Sequence, residues 1–180
     1  MIGERIYLRI LEKTDIPTTQ KWINDPEMSA IMGYLPTKSL LNQEKWYDSL
    51  VNDDTRYIFA ICLIENNEHI GNVALGRIDY ISRNAMYSIF IYENKYRQNG
   101  YGSEATRQML SFAFNRLNLH KVYLRTSPVF VDAIKMYERL GFVREGILRE
   151  HHYDDGKYSD KIIYSMLKHE YDKNQLQKTA

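Results

Sequence analysis

The sequence predicts a mixed α/β domain: an antiparallel meander feeding one strand–helix–strand crossover, with helices flanking the sheet. Three observations predict it. Arg56 to Ile64, His69 to Tyr80 and Ala85 to Tyr92 are apolar, β-prone runs joined by short polar turns. A glycine loop, Arg97 to Ser103, opens into a stretch with apolar residues at Ala105, Met109, Phe112, Ala113 and Leu117, which is a helical period. That helix, running to about Asn118, returns the chain to another strand, Lys121 to Thr126, and a crossover of this length implies parallel pairing. The 180 residues suit a single domain with a sizeable core, here read as residues 1–171 with a polar tail at 172–180.

The remaining elements follow in order. Ile6, Leu8 and Ile10 alternate with Tyr7, Arg9 and Leu11 as a first strand. Thr14 and Asp15 offer an N-cap, with Pro17 in the first turn of a helix ending near Asn24, and Asp25-Pro26 breaks it. Glu27 to Leu35 is a short helix or loop. Ser39 or Asn42 caps a further helix through Leu50. Glu65 to Glu68 makes a hairpin turn, and Ser82 to Asn84 another. Asp132 starts a helix with Ala133, Ile134, Tyr137 and Leu140 on one face, and Gly141 stops it. Phe142 and Val143 lead into a strand, and Asp154 to Lys157 turns a hairpin between His151–Tyr153 and Tyr158–Leu167. The chain after about Asp172 is expected to fray.

Composition removes several function classes. A net charge of +1 gives no global case for nucleic acid or an acidic membrane surface. The lone cysteine, Cys62, cannot form an internal disulfide and sits in an apolar run, which suits a small core residue. The N-terminus lacks the apolar segment of a signal peptide, and no run reaches membrane-spanning length. A cytoplasmic protein without a bound metal is therefore expected.

The chemistry concentrates around the glycine loop. Gly100 and Gly102 let backbone approach a ligand closely, and a helix start presents free N–H groups and the positive end of its dipole. Together these features make an anion site suited to phosphate or diphosphate. A plain strand-to-helix turn capped by Ser103 has the same outline. The loop lacks a Walker lysine, and a dinucleotide fingerprint fails because Ala105 stands at its third glycine position.

The segment Arg97-x-x-Gly100-x-Gly102 after an apolar strand resembles the acetyl-CoA signature (Q/R)-x-x-G-x-(G/A) of the GNAT superfamily of N-acetyltransferases. Downstream, Ala133-Ile134-x-x-Tyr137-x-x-x-Gly141-Phe142 resembles a second signature helix of the same family. Trp22-Ile23-Asn24-Asp25-Pro26-Glu27 looks like the branch holding ribosomal-protein, spermidine and amino-sugar acetyltransferases, and the likeness runs to about Tyr171.

The resemblance implies a central sheet with one parallel strand pair splayed around acetyl-CoA as cosubstrate. It assigns the diphosphate to the loop Arg97, Gln98, Asn99, Gly100, Tyr101, Gly102 and Ser103. Pantetheine is expected along the free backbone of Phe90, Ile91 and Tyr92, where an N–H also serves as oxyanion donor. Tyr137 is expected to act as general acid, since a phenol of pKa about 10 is still protonated when a thiolate of pKa about 8.5 departs. Two positions depart from the family pattern. Met86 stands where many relatives place a glutamate base, and Phe130 where an asparagine often contacts the cofactor arm. His151 and His152 are bases by type alone, and on a strand at most one faces a site.

By the same likeness, the early helices form a flap over the acceptor, with Trp22, Tyr34, Trp46 and Tyr47 as stacking or core aromatics. Spermidine enzymes carry acidic residues after the first helix, whereas Gly33 to Lys38 has no carboxylate and one lysine. That favours a protein N-terminus or a small amine such as an amino sugar over a polyamine. The same likeness implies a homodimer as the expected assembly. A non-catalytic acyl-CoA sensor and a nucleotide-binding protein remain open at this point.

Overall fold

The computed structural model describes residues 1–32, 37–154 and 156–179. Seven strands form one sheet: β1 (Ile6–Ile10), β2 (Tyr57–Leu63), β3 (His69–Asp79), β4 (Asn84–Ile91), β5 (Lys121–Thr126), β6 (Val143–Asp154) and β7 (Lys157–Leu167). Their spatial order is β1-β2-β3-β4-β5-β7-β6. Each neighbouring pair is antiparallel except β4–β5, which is parallel. The helices are α1 (Ile16–Ile23), α2 (Pro26–Met32), α3 (Leu40–Ser49), α4 (Tyr101–Ser111), α5 (Val131–Leu140) and α6 (Lys168–Thr179). Among the described residues no helix is long and apolar enough to cross a membrane.

β2 reads as an unbroken apolar run because both of its faces are covered. Phe59, Ile61 and Leu63 join the main core under α4, with Leu8, Val73, Leu75, Ala105, Met109 and Val122. Ala60 and Cys62 face the other way, into a smaller cluster with Leu11, Ile16, Trp46 and Tyr47 under α1 and α3. Two layers of helices thus clamp the sheet, and β4 runs between them. Ile10 leaves the alternation at the end of edge strand β1 and is 52% exposed.

Caps set the boundaries. Ser39 Oγ accepts the Asn42 N–H at 3.1 Å, so the serine caps α3. Gly141, at φ +93°, closes α5 in the left-handed conformation that glycine adopts without strain. Past α4 one π-turn, Phe112–Arg116, shifts the ladder, and the Leu117 N–H reaches the Phe112 carbonyl at 3.0 Å. The tail departs from expectation, because it is helical through Thr179 rather than frayed after Asp172. Its anchor is non-local. Tyr171 is buried against Phe114 at 4.9 Å, and Glu170 accepts the Leu167 N–H at 2.8 Å.

Candidate active site

The parallel pair is short. It registers Asn84 with Lys121, Ala85 with Val122 and Met86 with Tyr123, and there it ends although both strands continue. The divergence opens a cleft of about 640 Å³ lined by Ser88 and Phe90 of β4, Leu124 and Thr126 of β5, and Phe130 and Tyr137 of α5 and its approach. Strand edges that part like this leave backbone groups without a ladder, available to an extended ligand.

The glycine loop borders a second cavity, about 940 Å³, whose lining includes Gln98, Gly100, Gly102 and Ser103 on one side and Met136, Tyr137 and Arg139 on the other. Gly100 is the N-cap of α4, at φ +85°. Ser103 therefore sits inside the first turn, and its side chain makes no cap. Among the described residues no acceptor meets the N–H groups of Tyr101, Gly102 and Ser103. These are the orphan donors that an anion at a helix start satisfies. A Cβ on Gly102 would stand 3.5 Å from Met136 Sδ and 3.9 Å from Ile89 Cδ1, filling the passage between α4 and α5.

The other loop residues play different parts. Arg97 braces the loop: its Nε donates to the Ile91 carbonyl at 3.0 Å, its Nη2 to the Tyr92 carbonyl at 2.7 Å, and its Nη1 to Glu27 of α2 at 3.0 Å. Gln98, at φ +61°, donates to Asp132 at 2.9 Å, tying the loop to the start of α5. Asn99 and Tyr101 line neither cavity. The Asn99 carbonyl accepts from Arg5 at 2.8 Å, and Arg5 also lies over the Tyr101 ring at 4.9 Å.

Of the three residues expected along pantetheine, Phe90 and Ile91 of β4 line the cleft and Tyr92, just past the strand, does not. The Tyr92 N–H is taken by the Ile70 carbonyl at 3.1 Å, its carbonyl by Arg97, and its ring stacks on Trp22 at 3.8 Å. Ser88 takes the place that sequence reasoning missed. The strand's alternation carries its signal, since Met86, Ser88 and Phe90 share a face.

Tyr137 belongs to both cavities yet is only 7% exposed. Its ring meets Phe142 at 5.6 Å and Tyr87 at 6.5 Å, both edge-on. Among the described residues its hydroxyl has no hydrogen-bond partner, and burial pushes its pKa up to about 12. Neither histidine of β6 lines a cavity. His151 is exposed, and its Nε2 lone pair meets an Arg125 N–H at 3.0 Å. Cys62 is fully buried, and burial pushes its thiol pKa up, which suits a core role.

On the flap side of β4 a third cavity, about 830 Å³, runs between the sheet and α1 and α3. Ser88 and Phe90 form its inner wall and are shared with the cleft. Trp46 lines this groove while also packing on the smaller core, whereas Trp22 is locked between Tyr92 and His69. Tyr34 and the rest of Gly33 to Pro36 lie outside the described residues. Among the described residues no group of three His, Cys, Asp or Glu side chains is placed to hold a metal ion.

A parted strand pair, orphan N–H groups at a helix start and a glycine-lined passage fit a pantetheine arm and its diphosphate. Residues 5–143 match the acetyltransferase (GNAT) domain family. The chain belongs to the GNAT family. It is an acetyltransferase whose acyl donor is acetyl-CoA. Within this family, a spermidine N(1)-acetyltransferase of Vibrio cholerae is 30% identical over 88% of this chain and 91% of its own. The crystal structure of spermidine N-acetyltransferase from Vibrio cholerae in complex with CoA and spermine superposes with a TM-score of 0.88 at 28% identity, covering 94% of this chain and 99% of that one. A putative ribosomal N-acetyltransferase of Bacillus subtilis is 24% identical over 95% of this chain and 96% of its own. The GNAT fold places the glycine loop, the parted strands and Tyr137 on one side of β4 and the flap helices on the other.

Proposed function

We propose that the protein moves an acetyl group from acetyl-CoA to a primary amine by direct attack in a ternary complex, with the acceptor entering through the flap-side groove. One observation carries this reading. The donor cleft opens in the gap between β4 and β5 and the groove lies under α1 and α3, yet both are lined by Ser88 and Phe90. Two reactants held in these two spaces meet there without competing for room.

When bound, acetyl-CoA supplies a thioester whose carbonyl is attacked and whose sulfur leaves. The N–H groups of Tyr101, Gly102 and Ser103 hold the diphosphate, and unpaired β4 backbone around Ser88 to Phe90 orients the arm and offers a donor to the developing oxyanion. Tyr137 keeps its proton at neutral pH, because its pKa is held near 12. A phenol that weakly acidic contributes by donating a hydrogen bond from Oη to charge developing on sulfur. The amine's own proton balances the reaction. Among the described residues the groove presents no carboxylate and no imidazole, so deprotonation falls to solvent.

The acceptor is a protein N-terminus or a small amine such as an amino sugar. A polyamine is the second reading, favoured by relatives named for spermidine. Release of free thiol from acetyl-CoA, followed across amino sugars, N-terminal peptides, polyamines and aminoglycosides, tests the proposal. Turnover with at least one amine is expected. CoA binding without thiol release on any of them would overturn it.

A further inference from the structure

The charge of the groove is one-sided. Among the described residues its lining includes Lys38, Lys45, Arg56 and Arg77 and no acidic residue. Only Arg56 among these has an ion-pair partner within the described residues, Asp53 at 3.4 Å, and Asp53 does not line the groove. The two arginines come from neighbouring strands. Arg56 precedes β2, and its Cγ is the nearest atom to the space that a side chain on Gly76 would fill, at 4.0 Å. Arg77 follows Gly76 at φ +52°, where the β3–β4 register breaks between Gly76 and Asp79. A break of this kind re-aims a side chain, here towards the groove.

A further cation, Arg125, lines the neighbouring cleft and touches the groove only through Met86. Met86 lines the groove, and its Sδ carries the Arg125 guanidinium at 3.7 Å. The remaining polar lining is neutral and includes Thr19, Thr37, Asn42, Gln43, Asn72 and Ser88. An excess of cations around a concave site repels a polycation and focuses an anion. They also disfavour the ammonium form of a bound amine, the form that cannot attack. A groove of about 830 Å³ is of small-molecule size.

Building on the acetyltransferase reading, we propose that the acceptor is a small amine bearing a phosphate or carboxylate, which docks on Arg56 and Arg77 while its amino group reaches Ser88 and Phe90. Guanidinium groups suit either anion, because their fork of donors matches paired oxygens. Phosphate and carboxylate acceptors are separated by the substrates chosen for the test.

The experiment compares matched acceptors: glucosamine with glucosamine 6-phosphate, and glycinamide with glycine and γ-aminobutyrate. Spermidine is the cationic control. Thiol release is measured for the wild type and for the double variant Arg56→Gln, Arg77→Gln. In the wild type, kcat/KM is expected to be at least about tenfold higher for one anionic acceptor than for its uncharged counterpart. In the variant that ratio is expected to fall towards one through KM, with melting temperature and CoA affinity retained as controls. Equal or lower rates for every anionic acceptor, or a preference that survives the double substitution, would overturn the inference. Acetylation of neutral amines or spermidine without anionic advantage sinks only this inference. Absence of thiol release from all acceptors sinks the acetyltransfer reading itself.

Discussion

In the proposed mechanism the two sides of β4 bind by different means. On the donor side the working groups are main-chain N–H donors at the start of α4 and the unpaired edge of a strand. On the acceptor side they are side chains from the approach to α3, from α3 itself, from the start of β2 and from the β3 bulge. A backbone site constrains conformation and leaves side-chain identity loose. The Gln98 side chain is tied to Asp132 and the Tyr101 ring to Arg5, and neither side chain bonds an N–H donor at the helix start. A side-chain site constrains identity and leaves the local fold loose. Donor chemistry can therefore stay constant in such a fold while acceptor choice changes.

The comparison breaks if side chains on the donor side matter more than its glycines. The largest effect expected is from Gly100→Val combined with Gly102→Val. At φ +85° a β-branched residue is strained, and a side chain at Gly102 fills the passage beside Met136 and Ile89. CoA affinity by calorimetry should fall on the order of 10³-fold, because a blocked or displaced helix start loses its anion contacts. Affinity within a few fold of wild type would show that the grip lies elsewhere.

Tyr137 is the side-chain exception on the donor side, and it sharpens the contrast. Tyr137→Phe keeps the ring packed against Phe142 and Tyr87 and removes only the hydroxyl. Turnover should drop about 10²-fold with CoA affinity unchanged, as expected for a group used only in the transition state. The wild-type profile of kcat with pH should rise as the bound amine loses its proton. No descending limb from the phenol should enter until pH nears 12. A descending limb near pH 8 or 9, absent from the Phe variant, would refute the placement of that pKa.

The same contrast explains what was legible in the sequence. Gly100, Gly102, Tyr137, Gly141 and Phe142 stand at short fixed spacings because one strand–loop–helix unit and one helix carry them, and spacing is visible in one dimension. The cap at Ser39 was legible for the same reason. The arginine pair was not. Arg56 and Arg77 come to one groove only once β2 and β3 register Tyr57 against Leu75, and no local pattern announces it. Tyr92 is engaged by Trp22 and Arg97, which arrive from outside the strand and leave no local trace in the sequence. The tail was under-read because Tyr171 finds Phe114 across the fold. The parting of β4 from β5 is an absence of pairing, and strand propensity does not encode absences.

The smallest effect expected concerns stability, and it asks whether the two sides are held by the same device. Each leans on one carboxylate. On the acceptor side, Asp15 ahead of α1 takes both Arg9 nitrogens at 2.7 and 2.8 Å and the Glu12 N–H at 2.8 Å. On the donor side, Glu104 of α4 accepts the N–H groups of Glu4, Arg5 and Ile6 at 2.7, 3.0 and 3.3 Å, pinning β1. Burial raises both pKa values. For Asp15 the Arg9 guanidinium, the Glu12 N–H and nearby His69 together outweigh it, and for Glu104 the three amides and the Arg5 charge together do so, leaving both below the ordinary carboxylate value. A depressed folded-state pKa gives stability that is complete above the unfolded value, about 4, and is lost as pH falls through the folded one. Urea unfolding of Asp15→Asn should therefore show a loss of about 3 kcal/mol at pH 7, since Arg9 is left half-buried and unpaired. Glu104→Gln should lose about 1 kcal/mol, because the amide oxygen still accepts N–H bonds. Both gaps should narrow below about pH 4, as the wild-type carboxylates take up protons. A gap that stayed constant down to pH 2 would mean the variants had lost packing, and charge would not be what secures either side of the strand.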